Sequence, residues 1–320
     1  GVPLIAGTWL GRMDFGVVAM LGGLVFLSLP DTRLRHRMVL MMALAFAMIA
    51  CYALGALTHL FPVALIVVLT TLTCVASMTA RFYRLGPPGI LFIIMAASIA
   101  AYTPAELLDI PLRVGLVAMG AVFACSVAFV YSLYHVRRSP PGAEPPLPGM
   151  DFDYVVVDST IIAACVGFSL LLAELLQLER PYWVPVSCLA VIQGANLRMV
   201  WNRHAQRVLG TVVGMGLAWL LLELSLDVWG VVAMMIALSF IIELIVIRHY
   251  GLAVVFITPL TIFLAESSQL AQHSATDILL ARIVDIAIGS SVGLAGGAAL
   301  HVPALRARVA LIIRAILRRR

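Results

Sequence analysis

Apolar runs, broken by short polar or proline-marked stretches, recur from one end of the chain to the other. Within a run the apolar residues are continuous, not alternating. That pattern predicts buried or lipid-facing helices, and it argues against the two-residue period of a membrane barrel. Most runs approach the ~20 residues that a helix needs to cross a hydrocarbon core of about 30 Å. The predicted helices are 1–11, 15–30, 36–57, 60–80, 87–102 and 106–135, then 155–177, 182–196, 205–223, 228–247, 251–266 and 277–300. The run at Val2 to Leu10 is too short to span, so 1–11 is expected to be the remainder of a truncated first helix. The prediction is an all-α, polytopic membrane protein of about 12 transmembrane helices, since backbone in lipid must satisfy its own hydrogen bonds.

One stretch breaks the apolar rhythm. Between Arg137 and Asp153 stand Pro140, Pro141, Pro145, Pro146 and Pro148 with Gly142 and Gly149, a composition that excludes helix and favours an extended linker. It predicts a first transmembrane repeat at 1–136, a cytoplasmic linker at 137–154 and a second repeat at 155–301. A basic amphipathic cytoplasmic tail follows at 302–320. The halves share landmarks at a near-constant offset. Arg81-Phe82-Tyr83 returns as Arg248-His249-Tyr250, Arg37 as Arg207, and Arg113-x₆-Gly120 as Arg282-x₆-Gly289, while Phe15 falls opposite Tyr182. Two repeats of six helices each keep the same orientation in the membrane, related by an axis along its normal.

Composition strengthens the membrane reading. Hydrophobic residues make up 62% and charged residues 12% of the chain, with a mean hydropathy of +1.07. A soluble domain carries about a quarter charged residues. The formal charge of +5 does not indicate nucleic-acid binding. All 21 basic residues are arginine, and 17 of them fall in loops on one side or in the tail, which is positive-inside sorting. Both termini are therefore expected in the cytoplasm. The tail alternates arginine with apolar residues and reads either as a helix on the anionic inner leaflet, or as a plain topology anchor or the opening of a truncated cytoplasmic domain. The five cysteines lie in apolar runs without metal-ligand spacing. There is no His-x-x-x-His, no Gly-x-Ser-x-Gly and no Walker loop, so enzyme and ATPase readings lack residues, and neither metal nor cofactor is expected.

Ionisable residues inside apolar runs are costly and mark candidate function. Arg282 and Asp285 stand one turn apart on the last predicted helix. They read either as an anion-attracting arginine with a titrating carboxylate or as a self-neutralising pair that locks the helix. Arg113 is the repeat mate of Arg282, with Leu116 where Asp285 would have its counterpart. It reads as half of a positive vestibule or as a snorkelling side chain. Thr258-Pro259 is expected to interrupt a helix near its middle, where Thr258 and Thr261 offer hydroxyls to a substrate; a plain kink is the other reading. Tyr182 and Trp183 serve either as interfacial belt residues or as a stacking platform. Glu243 and Asp158, each one turn inside a helix end, are candidate proton carriers or snorkelling acids paired with loop arginines. Gly210, Gly214 and Gly216 suit close helix packing.

Several of these motifs occur in a familiar order. Tyr182-Trp183 at a helix start, Arg207-x-x-Gly210-Thr211-x-x-Gly214 at the next, Thr258-Pro259 in a buried helix and Arg282-x-x-Asp285-x-x-x-Gly289 in the last resemble the fusaric-acid-resistance family. That family includes aromatic-acid exporters of bacterial inner membranes, and the plant aluminium-activated malate channels look like its distant relatives. The resemblance implies an inner-membrane exporter of aromatic or other small organic acids, driven by protons, with the organic anion and the bilayer as partners. It also implies a possible homo-oligomer, a dimer first, and a periplasmic adaptor protein. Many members carry a large soluble domain at the position of the linker, and this chain does not. A passive organic-anion channel and a membrane scaffold that moves nothing are the alternatives.

Overall fold

The computed structural model describes residues 1–83, 85–86, 88–136, 153–224, 226–246, 248–266 and 275–318. The linker expected at 137–154 falls almost wholly outside these residues, as does the segment 267–274. The described residues form thirteen α-helices with one 3₁₀ and one π turn, and among them there is no strand. Seven helices are long and apolar enough to cross a membrane, and four more apolar helices are shorter, at 10–17 residues. This is a multi-pass helical membrane protein. The expected count of about 12 crossings is finer than these lengths establish.

The chain divides into two compact units, Val2–Ala163 and Ala164–Arg320, with Gly1 grouped with the second. In the first, α2 (Met13–Gly23) packs on α6 (Asp109–Val136), and α3 (Leu34–Leu60) packs on α5 (Leu91–Tyr102) and on α6. α1 (Val2–Trp9) lies on α2, and α4 (Pro62–Phe82) on α3. α7 (Asp158–Leu175) contains the dividing point. In the second unit α8 (Trp183–Ile192) packs on α12 (Ala275–His301), and α9 (Leu197–Leu222) packs on α11 (Tyr250–Glu266) and on α12. α10 (Val228–Ile245) lies on α11, and α13 (Pro303–Arg318) follows α12.

Glycine sets the closest of these contacts, since backbones can touch only where no side chain intervenes. Gly120 of α6 sits on the carbonyl of Ala19, and Gly289 of α12 sits on that of Val184. On α9, a Cβ added at Gly214 would lie 2.6 Å from the carbonyl oxygen of Val255. That carbonyl is four residues before Pro259, which has no N–H to give it. Gly214 thus covers the acceptor that the proline leaves open. A Cβ added at Gly216, expected in the same role, would meet no other helix within 4 Å, so this glycine lies off the interface.

Two expected boundaries are corrected. The arginine-rich segment 197–204, left between the expected helices 182–196 and 205–223, is helical from Leu197, and the preceding helix stops at Ile192. Asn196 caps the new helix, its side chain accepting the Met199 amide hydrogen at 2.8 Å. The first turns of α9 interleave arginine and other polar residues with apolar ones, so hydropathy alone missed them. The break expected at Thr258-Pro259 is absent too: α11 runs from Tyr250 to Glu266 with Pro259 inside it.

Candidate functional site

The second unit brings four of the expected residues close together. α8 is buried along its whole length, and Trp183 at its start is 2% exposed. Trp183 is therefore not a lipid-facing belt residue. The guanidinium of Arg282, from α12, lies 4.1 Å from the centre of its ring, a cation–π contact strengthened by exclusion of water. Arg282 also donates through Nη2 to the Thr261 hydroxyl on α11. Tyr182, half-buried, packs against Trp183 with ring centres 5.2 Å apart. Arg282 is 2% and Asp285 1% exposed, and their spacing places both on one side of α12.

Three helices thus present one cationic, aromatic cluster. α12 supplies the charge, α8 the ring and α11 the hydroxyl. The indole Nε1 of Trp183 is buried and has no acceptor among the described residues. A buried N–H without a partner is uncommon, because it forfeits its hydrogen bond to water. An indole donor beside a guanidinium is a fitting environment for a carboxylate. A planar ring on the same acid would have Tyr182 and Trp183 to pack against.

The other candidates are placed differently. Thr258 donates back to the carbonyl of Val254 at 2.9 Å. Thr261 donates to Ile257 O at 2.8 Å and keeps its oxygen for Arg282. Asp158, 7% exposed, is ion-paired with Arg81 at 3.1 Å in the first unit, and Arg81 also lies 4.7 Å above the Tyr154 ring. Glu243 is exposed on α10. Arg113, in the first unit, donates to the carbonyl of Pro104 at 2.8 Å. Among the residues described, no group of three His, Cys, Asp or Glu is placed to hold a metal ion.

Sequence reasoning missed the depth of Arg207. It was read as a landmark at a helix start, yet it is 6% exposed and reaches Ser187 of α8. The available signal was its place at the edge of an apolar run, Val208 and Leu209 following directly.

The fold, then, defines a multi-pass α-helical membrane protein with a buried cation–aromatic cluster in its second unit. Residues 166–296 match the family described as fusaric acid resistance protein-like. The match covers α8 to α11 whole, with most of α7 and α12, and so contains the cluster. A Bacillus subtilis (strain 168) protein described as uncharacterized membrane protein YvaC is 30% identical over 166 residues, which is 52% of this chain and 25% of that protein. The match therefore spans about a quarter of that curated relative's length. No solved structure matches the chain.

Proposed function

We propose that this protein exports aromatic or other small organic acids across a bacterial inner membrane, with proton coupling through Asp285. The observation that carries the reading is the buried Arg282–Trp183–Thr261 cluster, with an indole N–H that lacks an acceptor among the described residues. An organic acid is an anion at neutral pH and needs a cation and donors held away from water. Asp285, one turn along α12, supplies a carboxylate whose protonation changes the charge that Arg282 experiences. Two six-helix repeats joined by a cytoplasmic linker are part of the proposal. Supporting it, α2 on α6 and α3 on α5 in one unit match α8 on α12 and α9 on α11 in the other. The arginine distribution supports cytoplasmic termini.

One observation favours a second reading. Asp158 is held by Arg81 and Glu243 is exposed, which leaves Asp285 alone among the expected proton carriers within the cluster. A passive organic-anion channel needs no carrier. Benzoate uptake into inverted vesicles separates the two. Uptake driven by an imposed pH gradient is the expected result; uptake that ignores the gradient and follows the electrical potential makes the protein a channel. The absence of any benzoate flux overturns both.

A further inference from the structure

Three arginines meet α8 in succession. Arg282 lies over Trp183 at 4.1 Å. Arg207, from α9, donates through Nη2 to Ser187 Oγ at 3.4 Å. Arg203, one turn earlier on α9, donates through Nη1 to the carbonyl of Ala190 at 3.3 Å. Positions 183, 187 and 190 are spaced i, i+4, i+7 and share one face of the helix. At 1.5 Å per residue, the steps between them are about 6 Å and about 5 Å.

Arg207 is the unusual member. It is 6% exposed, and its Nε has no partner among the described residues. Among those residues the guanidinium makes a single hydrogen bond, to a neutral hydroxyl, and no ion pair. A buried cation so poorly compensated is expensive unless an anion joins it. Other buried donors and acceptors gather nearby on α9 and α11. The Tyr250 hydroxyl and His204 Nδ1 also lack partners among the described residues, and the Tyr250 ring lies 5.7 Å from the Arg203 guanidinium.

We propose that Arg207 and Ser187 form a second carboxylate station, one helical turn along α8 from the Arg282–Trp183 cluster, with Arg203 as its approach. The inference rests on the organic-acid reading above and extends it. The acid's carboxylate takes the two-pronged edge of Arg207, Nε and one Nη, in the fork geometry that guanidinium offers a carboxylate. It then moves about 6 Å along α8 to Arg282. The Arg207 station completes the shell of a cation that among the described residues has a single neutral partner. The anion therefore exchanges one partner for another without entering bare hydrocarbon.

Crystals of the full chain soaked in 4-bromobenzoate test this directly. Two anomalous bromine sites are expected, one for an acid whose carboxylate lies at Arg207 and Ser187, and one for an acid at Arg282 and Trp183. Arg207→Gln should abolish the first site, keep the second, and raise the half-saturating benzoate concentration for transport at least about tenfold, the scale of one charge-assisted hydrogen bond. Arg207→Lys should recover part of that loss. A wild-type map with bromine at Arg282 alone overturns the second station, whether or not Arg207→Gln folds, and leaves the exporter reading intact. So does a folded Arg207→Gln that transports like the parent. Wild-type protein that neither binds nor moves either acid overturns this inference and the exporter reading together.

Discussion

At the scale of single residues the decisive question is what each buried charge does. Arg282 and Asp285 are both nearly sealed from solvent, so loss of either has a large effect, but not the same one. Arg282→Gln should weaken benzoate binding about tenfold or more, because it removes the cation from the cluster. Asp285→Asn should keep binding and lose the dependence of transport on a pH gradient. Equal loss in both, with poor folding, makes the pair a structural lock; transport like the parent in both removes it from the mechanism. Trp183→Phe isolates the indole N–H. The ring face over which Arg282 lies is retained, so thermal stability in detergent should hold while benzoate affinity falls, measured by titration calorimetry. Unchanged affinity would remove the N–H from the site. Asp158 is predicted to be structural. Asp158→Asn should lower stability by a few kcal/mol, about 3 for a buried pair that loses one partner. Arg81→Gln in the same chain should recover part of this, as a double-mutant cycle in thermal melts will register. Independent, additive losses would refute the pairing.

At the scale of elements the packing is backbone on backbone. Gly214→Leu drives a side chain into the carbonyl of Val255 and the side chain of Thr258. A cost of about 3 kcal/mol or more is expected from such overpacking, read as loss of detergent-stable protein on size-exclusion chromatography. Gly216→Leu is the control, because a Cβ at that position would meet no other helix within 4 Å. Equal behaviour of the two variants would refute the close approach. Most of these elements were legible in the sequence, because a membrane span announces itself by length and continuous hydropathy. The start of α9 was not. Its first turns carry Arg198, Asn202, Arg203, His204 and Gln206, and hydropathy reports where a helix is apolar, not where it begins. The site divides in the same way. Arg282 and Asp285 stood out because they interrupt an apolar run. The burial of Arg207 and the seat of Arg282 on Trp183 depend on which helices become neighbours, which periodicity does not encode. The proline was read as a break because its missing N–H is visible in sequence, whereas the glycine that covers the open carbonyl is on another helix.

At the scale of the whole molecule the arginine distribution makes a claim about orientation. In a background with Cys51, Cys74, Cys125, Cys165 and Cys188 replaced, a cysteine at Ser268 should react with a membrane-impermeant maleimide in intact cells. One at Gly142 should react only after the membrane is opened. The reverse pattern would invert the proposed topology. Within the second unit, one arrangement bears on movement. α8 and α12 are held at van der Waals distance by Gly289 and Gly293, and α9 and α11 by Gly210 and Gly214. Helices joined so closely travel as pairs, and the looser seam between the pairs is the natural plane of shear. Arg282 crosses that seam, reaching from α12 to Thr261 on α11. That contact makes it a latch between the pairs, beside the anion-binding role proposed for it. An anion that drew the guanidinium away from the hydroxyl would remove one tie across the seam, beside those of Arg203 and Arg207 to α8, and Thr261→Val should loosen the seam with no substrate present. Faster amide hydrogen exchange along α11 in that variant, without added acid, is the signature to seek. Exchange that matches the parent would show that the seam is held without this contact.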